Sequence, residues 1–245
     1  MPELYDRARP RYPAAIFDDL VSLGRVPGTG RVLEIGAGTG HATLALAERG
    51  LEVVGLELGP ELAALARRKL AAFPHVSIVN EPFESWEPDG DFDAVVSFTA
   101  FHWIDPEVRF AKSAAVLRPG GALALVQPHT VLNGDPFWID VQEDYDAVVP
   151  SPDNGPPKRA DEVEDLSAEI EGSGFFRNVA VRRHLWETLY AAAEYADLIS
   201  TYSPNLDLDD EKRARLLERI RRRVERQGSL KMTYLFTLNV ATTLV

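Results

Sequence analysis

Apolar residues in the first half of the chain alternate between short runs typical of strands and longer segments with helical spacing. The short runs are Val32–Ile35, Glu52–Leu56, Val76–Val79, Ala94–Phe98 and Ala122–Val126. Helical spacing occupies residues 13–23, 40–49, 60–72 and 107–117. Short apolar strands that alternate with helices predict an α/β protein with a doubly wound, mostly parallel sheet that is covered on both faces.

The pattern becomes less regular after residue 128. Two further strands are predicted, over Phe176–Trp186 and Tyr234–Val240. Helices are predicted near Pro136–Val148 and over Asp161–Glu171, 191–200 and Asp209–Arg226. Two segments of this half, 129–160 and 187–232, exceed what a minimal sheet of this kind requires. Such additions commonly carry selectivity, so we expect both to form a lid over a binding site.

Composition and charge exclude several classes of function. The 245 residues carry a net charge of −12, which argues against a nucleic-acid partner, and they include no cysteine. The absence of cysteine rules out disulfides and thiolate metal sites, and it fits a cytoplasmic protein. No apolar run approaches the ~20 residues that a membrane-spanning helix needs, and the five histidines show no metal-ligand spacing. We expect neither a membrane nor a metal to be involved.

The segment Glu34–Gly40, with the sequence EIGAGTG, joins the first predicted strand to the next helix. Glycines here let the backbone turn sharply and let a ligand approach bare amides. A dinucleotide fingerprint would place its last glycine at the position of His41, so the spacing differs from that fingerprint. The segment resembles motif I of the class I S-adenosylmethionine (SAM) dependent methyltransferases. That resemblance implies a Rossmann-like methyltransferase fold with a seven-stranded sheet and helical lid insertions.

The resemblance implies a set of cofactor-binding residues at the ends of the strands. The glycine-loop amides would meet the methionine carboxylate of SAM, and Glu34 would reach its amino group or brace the loop. Glu57 would bind the ribose hydroxyls, as an acidic residue also does in dehydrogenases. Glu81 would read the adenine amino group, with Phe83 against the ring or in the core. The full set is Glu34, Gly36, Ala37, Gly38, Gly40, Glu57, Leu58, Glu81, Phe83 and Thr99.

Three further motifs resemble the trans-aconitate-type branch of small-molecule methyltransferases. They are Ala100–Asp105 (AFHWID), Arg9–Pro13 (RPRYP) and Thr201–Ser203 (TYS). His102 is a candidate general base, because a histidine pKa lies near neutrality, or it packs a loop against the cofactor. The candidates for contact with the acceptor are Tyr12, Trp103, Trp138 and Tyr202.

The sequence as a whole predicts SAM-dependent methyl transfer to a small-molecule acceptor by in-line displacement. Two alternatives stay open: an NAD(P)-dependent oxidoreductase and a non-catalytic SAM-binding protein. A carboxylate acceptor would require a cation in the lid, for which Arg9, Arg11, Arg182 and Arg183 are available. We expect one integrated domain over 1–245, a monomer or homodimer. Residues 1–128 would form the SAM-binding core, and 129–245 would supply the remaining strands and the lid.

Overall fold

One sheet joins seven strands in the order β3-β2-β1-β4-β5-β7-β6 in this computed structural model, which describes residues 2–151 and 155–244. The strands are β1 Arg31–Ile35, β2 Glu52–Leu56, β3 Val76–Val79, β4 Phe92–Phe98, β5 Leu117–Val131, β6 Phe176–Tyr190 and β7 Leu230–Thr243. Strands β1 to β5 pair in parallel, whereas β7 runs antiparallel to β5 and β6. The predicted doubly wound, mostly parallel seven-stranded sheet is confirmed.

Eleven α-helices are assigned in the described residues, with 3-10 turns at Phe101–Trp103 and Ala160–Glu162. The helices of the first half are α1 Pro2–Ala8, α2 Ala14–Leu23, α3 His41–Ala47, α4 Pro60–Lys69 and α5 Pro106–Ala115. Those of the second half are α6 Phe137–Asp140, α7 Gln142–Asp146, α8 Ser167–Gly172, α9 Ala192–Ser200, α10 Ser203–Leu206 and α11 Asp210–Gln227. Among the described residues, no helix is both long and apolar enough to cross a membrane.

Helices cover both faces of the sheet and enclose its two largest apolar clusters. The larger cluster combines sheet residues with Leu20 of α2, Leu46 of α3, Leu198 of α9 and Ile220 of α11. The smaller cluster lies on the other face, where α5 and α8 contribute residues such as Ile170. Because both faces are buried, the central strands need continuous apolar runs, which is why their positions could be read from the sequence.

The second half departs from the predicted element boundaries. Strands β5, β6 and β7 are longer than predicted, because antiparallel pairing with β7 extends to Val131 on β5 and to Tyr190 on β6. The single acidic helix predicted over 161–171 is wrong. A 3-10 turn ends at Glu162, and α8 begins only after Asp165, whose Oδ1 accepts a hydrogen bond from the Ser167 amide at 2.8 Å.

Candidate active site

A cavity of about 700 Å³ opens at the carboxyl ends of β1, β2 and β4. This is the edge at which ligands bind in doubly wound sheets, and the volume lies within the range of roughly 300 to 1,000 Å³ that small-molecule sites occupy. Twelve of the residues predicted from the sequence line it: Tyr12, Glu34, Gly36, Ala37, Gly38, Glu57, Leu58, Glu81, Thr99, His102, Trp103 and Tyr202.

The glycine loop forms the floor of this cavity at positions where a side chain cannot fit. Gly36 has a φ of +77°, and a Cβ there would lie 2.2 Å from the Cβ of Ala100. Gly40 has a φ of +82° and begins α3, and a Cβ there would lie 2.9 Å from a methyl group of Leu70 on α4. Gly40 does not line the cavity, and its contact with the cofactor stays a prediction. Its role is close packing between α3 and α4.

The amides of the loop are used inside the protein. The Gly36 and Ala37 amides both donate to the Leu56 carbonyl at 2.9 Å, and the Gly40 amide donates to the Ala37 carbonyl at 2.8 Å. The Gly38 amide donates to Oε2 of Glu57 at 2.7 Å. These four groups were expected to hold the methionine carboxylate of SAM, and the structure assigns them to the loop's own conformation instead.

Glu57 follows β2 and braces two turns with one carboxylate. Its Oε2 accepts the Gly38 amide, and its Oε1 accepts the Gly59 amide at 2.7 Å. The side chain of Asn80 holds the same segment by donating to the Glu57 carbonyl at 2.7 Å. Although Glu57 is only 9% exposed, it lines the cavity. Each carboxylate oxygen has more than one acceptor position, so both can still receive a ligand hydroxyl.

Glu34 is a fully buried acid at the end of β1. Its Oε2 accepts a hydrogen bond from Thr43 Oγ1 at 2.6 Å. Burial raises the pKa of Glu34 to about 8, with the hydrogen bond from Thr43 opposing this shift and the nearby charge of Glu57 adding to it. The neutral form therefore predominates at pH 7. A cation bound in the cavity beside Glu34 would lower the pKa of this acid and favour its ionised form.

The end of β3 contributes a carboxylate but not an aromatic ring. Glu81 lines the cavity, as does Leu58, which is 69% exposed. Phe83, in contrast, is 3% exposed and belongs to the apolar cluster under α5, where the Lys112 ammonium lies 5.4 Å from its ring centroid. Phe83 does not line the cavity, so the prediction that it packs on adenine is wrong and its core alternative holds.

Beyond β4, the residues Thr99, His102 and Trp103 form the opposite wall of the cavity. Thr99 has a φ of +69°, an uncommon conformation for a residue with a side chain, and its Oγ1 lies 3.2 Å from the Tyr12 hydroxyl. The 3-10 turn then presents His102 and Trp103, whose rings lie 4.8 Å apart. Burial lowers the pKa of His102, and the Arg109 guanidinium lowers it further. His102 is therefore a neutral imidazole at pH 7, able to accept a proton.

The roof of the cavity comes from α1 and from residues 201–206. Sequence analysis gave no helix over Pro2–Ala8, yet α1 lies across the glycine loop and packs against α4 and α9. Asp6 Oδ1 lies 2.7 Å from His41 Nε2 and also pairs with Lys69, and Arg7 pairs with Asp197 at 2.8 Å. The helical spacing of Tyr5 and Arg9, four residues apart, is the sequence signal that could have revealed this element.

Of the remaining lining residues, sequence analysis named Arg9 as an available cation and gave most of the others no role in binding. The cavity is further lined by Tyr5, Arg9, Pro10, Thr39, His41, Ile104, Pro128, Thr201, Pro204, Leu206 and Phe236. Some of these residues lie within the motifs, such as Thr39 and Ile104, whereas Pro128 and Phe236 lie in segments that no local pattern marked. Among the described residues, no group of three or more potential ligands is arranged to hold a metal ion.

The first predicted lid segment does not lie over the cavity. None of the described residues within 129–160 lines it, and Trp138 is 4% exposed and packs edge-on against Phe137 at 5.2 Å. This segment instead docks on α11, where the buried Asp144 lies 2.9 Å from Arg219 and pairs with Arg223. Trp138 was predicted to contact the acceptor, and that prediction is wrong. Of the second segment, residues 201–204 and 206 line the cavity.

Comparison with known proteins agrees with this geometry. Residues 32–121 match the model of a methyltransferase domain. The matched stretch covers β1 to the start of β5, including the glycine loop, Glu57 and His102. The matched stretch therefore contains the floor and one wall of the cavity, whereas the roof lies outside it.

Curated relatives resemble about half of the chain. An uncharacterised methyltransferase of Mycobacterium tuberculosis, Rv3342, is 42% identical over 123 residues, which are 50% of this chain and 48% of that protein. A probable thiol methyltransferase 2 of Arabidopsis thaliana is 31% identical over 146 residues, covering 56% and 64% of the two chains. The chain thus spans about half the length of the first curated relatives that it matches.

Solved structures share the fold over nearly the whole chain. A candidate type II methyltransferase from Anaeromyxobacter dehalogenans has a TM-score of 0.67 at 22% identity, with 96% and 97% of the two chains covered. The phosphoethanolamine N-methyltransferase 2 of Haemonchus contortus, solved with S-adenosylhomocysteine, has a TM-score of 0.52 at 17% identity and covers 93% and 52%. At these identities the likeness establishes the fold.

Proposed function

We propose that this protein transfers the methyl group of SAM to a small-molecule acceptor. One observation carries the proposal: the cavity beside the methyltransferase-type glycine loop joins the acidic groups of Glu34 and Glu57 to an apolar wall. SAM is a nucleoside with a ribose diol at one end and an ammonium-bearing amino-acid tail at the other. In this proposal Glu57 accepts hydrogen bonds from the diol, and Glu34 binds the ammonium.

The shape of the cavity floor also supports binding of SAM. The close approach of Gly36 to Ala100 leaves the loop without side chains where a nucleoside would lie. Leu58 offers an exposed apolar surface next to the Glu81 carboxylate, a pairing suited to a flat base with an exocyclic amino group. When bound, SAM supplies an electrophilic methyl group that an acceptor displaces in line.

The acceptor side of the cavity lies between the 3-10 turn and the roof. The AFHWID motif, through its resemblance to trans-aconitate-type enzymes, favours a small acceptor. Trp103, which is 71% exposed, and Leu206, which is 45% exposed, supply apolar surface at this side. Neutral His102 is available to accept a proton from a hydroxyl or an amine. A carboxylate acceptor arrives ionised and would need no base.

Two experiments test the proposal in sequence. Calorimetry with SAM, S-adenosylhomocysteine and NAD tests the cofactor, and we expect binding of the first two with no binding of NAD. A cell metabolite extract is then incubated with the protein and SAM labelled in its methyl group, and labelled products are identified by mass spectrometry. NAD binding in place of SAM would support an oxidoreductase. SAM binding without any labelled product would support a non-catalytic binding protein.

A further inference from the structure

Arg9 is held rigidly in the roof of the cavity. Its Nε donates to Thr201 Oγ1 at 2.9 Å, and its Nη2 donates to the Thr201 carbonyl at 2.7 Å. The guanidinium carbon lies 4.9 Å from the ring centroid of Tyr5 and 4.7 Å from that of Tyr202. Two hydrogen bonds and two aromatic faces therefore fix the position of this charge before any ligand arrives.

The charge of Arg9 has no acidic partner within the described part of the chain. Every hydrogen bond recorded for its side chain there goes to Thr201. Among the described residues that line the cavity, Arg9 is the one lysine or arginine. A fixed guanidinium facing a partly enclosed cavity favours an anionic ligand, and its planar set of donors matches a carboxylate.

Two observations connect this charge to the amino-acid tail of the cofactor. The Gly36, Ala37, Gly38 and Gly40 amides already donate to protein oxygens, so the loop does not present them as a carboxylate site. Tyr5, which stacks on Arg9, lies 4.0 Å from the position that a Gly38 Cβ would take. Tyr5 therefore contacts Arg9 and also lies close to the glycine loop, where the amino-acid tail of SAM would lie.

The cavity also offers the complementary group for an ammonium. Glu34 lines it from below, and Tyr12 lies within electrostatic reach of both Glu34 and Arg9. An amino-acid tail carries one ammonium and one carboxylate on the same carbon. An acid on the floor and a guanidinium in the roof of one cavity match these two charges.

On the basis of the proposed function, we infer that Arg9 binds the α-carboxylate of SAM. It acts as a positioning residue, because it holds the tail and does not touch the transferred methyl group. The roof segment 201–206 is connected to the cofactor through the bonds between Arg9 and Thr201. Residues far apart in the chain would therefore be brought together around one carboxylate.

The test compares SAM with decarboxylated SAM, which lacks only the carboxylate, by calorimetry on the full chain. We expect the wild-type protein to bind SAM at least 10-fold more tightly than the decarboxylated analogue. Arg9→Gln should weaken SAM binding by about 10- to 100-fold and leave binding of the analogue within twofold. Arg9→Lys keeps the charge and should recover part of the loss. Arg11→Gln, at an exposed arginine outside the cavity, is the matched control and should change neither affinity.

Each other outcome has a defined meaning. An equal loss for both ligands in Arg9→Gln would overturn the inference and assign Arg9 to packing of the roof. Unchanged SAM affinity together with a raised KM for an acidic acceptor would also overturn it and assign the site to the acceptor's carboxylate. A wild-type protein that binds neither SAM nor its analogue would instead refute the proposed function. In wild type, the comparison of the two ligands shows whether the carboxylate contributes to binding, and the variants then assign that contribution to Arg9.

Discussion

Replacing Glu34 by glutamine separates the cost of burying this acid from its use in binding. Glutamine has the shape of the protonated acid and can still accept the hydrogen bond from Thr43 Oγ1. In the native protein burial raises the pKa of Glu34 to about 8, from an ordinary value of 4.5. The folded state therefore holds a proton that the unfolded chain releases between these two pH values.

The sign and size of the effect follow from proton linkage. Below pH 4.5 both states are protonated, so wild type keeps the whole contribution of the neutral acid. As the pH rises towards 8, wild type loses about 1.4 kcal/mol of stability per pH unit relative to Glu34→Gln. Relative to pH 4.5, the difference in unfolding free energy should therefore shift in favour of the variant by about 3 kcal/mol at pH 7 and by at most about 5 kcal/mol above pH 8.

Urea unfolding of both proteins at pH 5, 6, 7, 8 and 9 measures this difference directly. The control is Glu171→Gln, at an exposed glutamate on α8, whose unfolding free energy should follow that of wild type at every pH. A difference between Glu34→Gln and wild type that stays constant from pH 5 to 9 would refute the reasoning. In calorimetry at pH 8, the same variant should bind SAM more weakly, because an amide cannot become the counter-ion of an ammonium.

Three further substitutions test the floor and wall of the cavity. Gly36→Ala should lower the free energy of unfolding in urea by over about 3 kcal/mol, because its Cβ would meet Ala100. Gly120→Ala, which has a similar φ of +75° and open space around it, should lower it by about 1 to 2 kcal/mol. Equal losses in the two variants would refute the steric argument. Glu57→Gln should weaken SAM binding about 10-fold in calorimetry, and a change below twofold would exclude a ribose contact. His102→Gln should lower kcat by about 10²- to 10⁴-fold for a hydroxyl or amine acceptor. The acidic limb of the wild-type pH–rate profile should lie below pH 6.5. Full turnover by the variant would exclude His102 as the base.

The parts of the fold that the sequence predicted are those in which neighbouring residues decide the structure. The runs at 52–56 and 76–79 coincide with β2, which is buried from Val53 to Leu56, and with the edge strand β3, in which Ile78 is buried. The glycine loop was recognisable because its backbone needs positive φ values that glycine adopts without strain. Strands β5, β6 and β7 were predicted too short, since their length depends on antiparallel pairing between remote segments.

The same distinction applies to the candidate site. Glu34 and Glu57 line the cavity because each comes at the carboxyl end of a parallel strand, and such ends meet at one edge of the sheet. Phe83 and Trp138 were assigned to binding because an aromatic residue suits either a ligand or a core. Only the completed packing decides between these uses, and it buries both away from the cavity.

The sequence by itself determined the sheet, the glycine loop and the acids on the cavity floor, because each follows from spacing within a few residues. The tertiary structure decided the roof, where Arg9 contacts Thr201 across 192 positions of the chain. It also decided which loop amides remain available, since the Gly38 amide is taken by Glu57, 19 residues away. Contacts of this kind depend on how distant segments pack, which no local pattern of residues records.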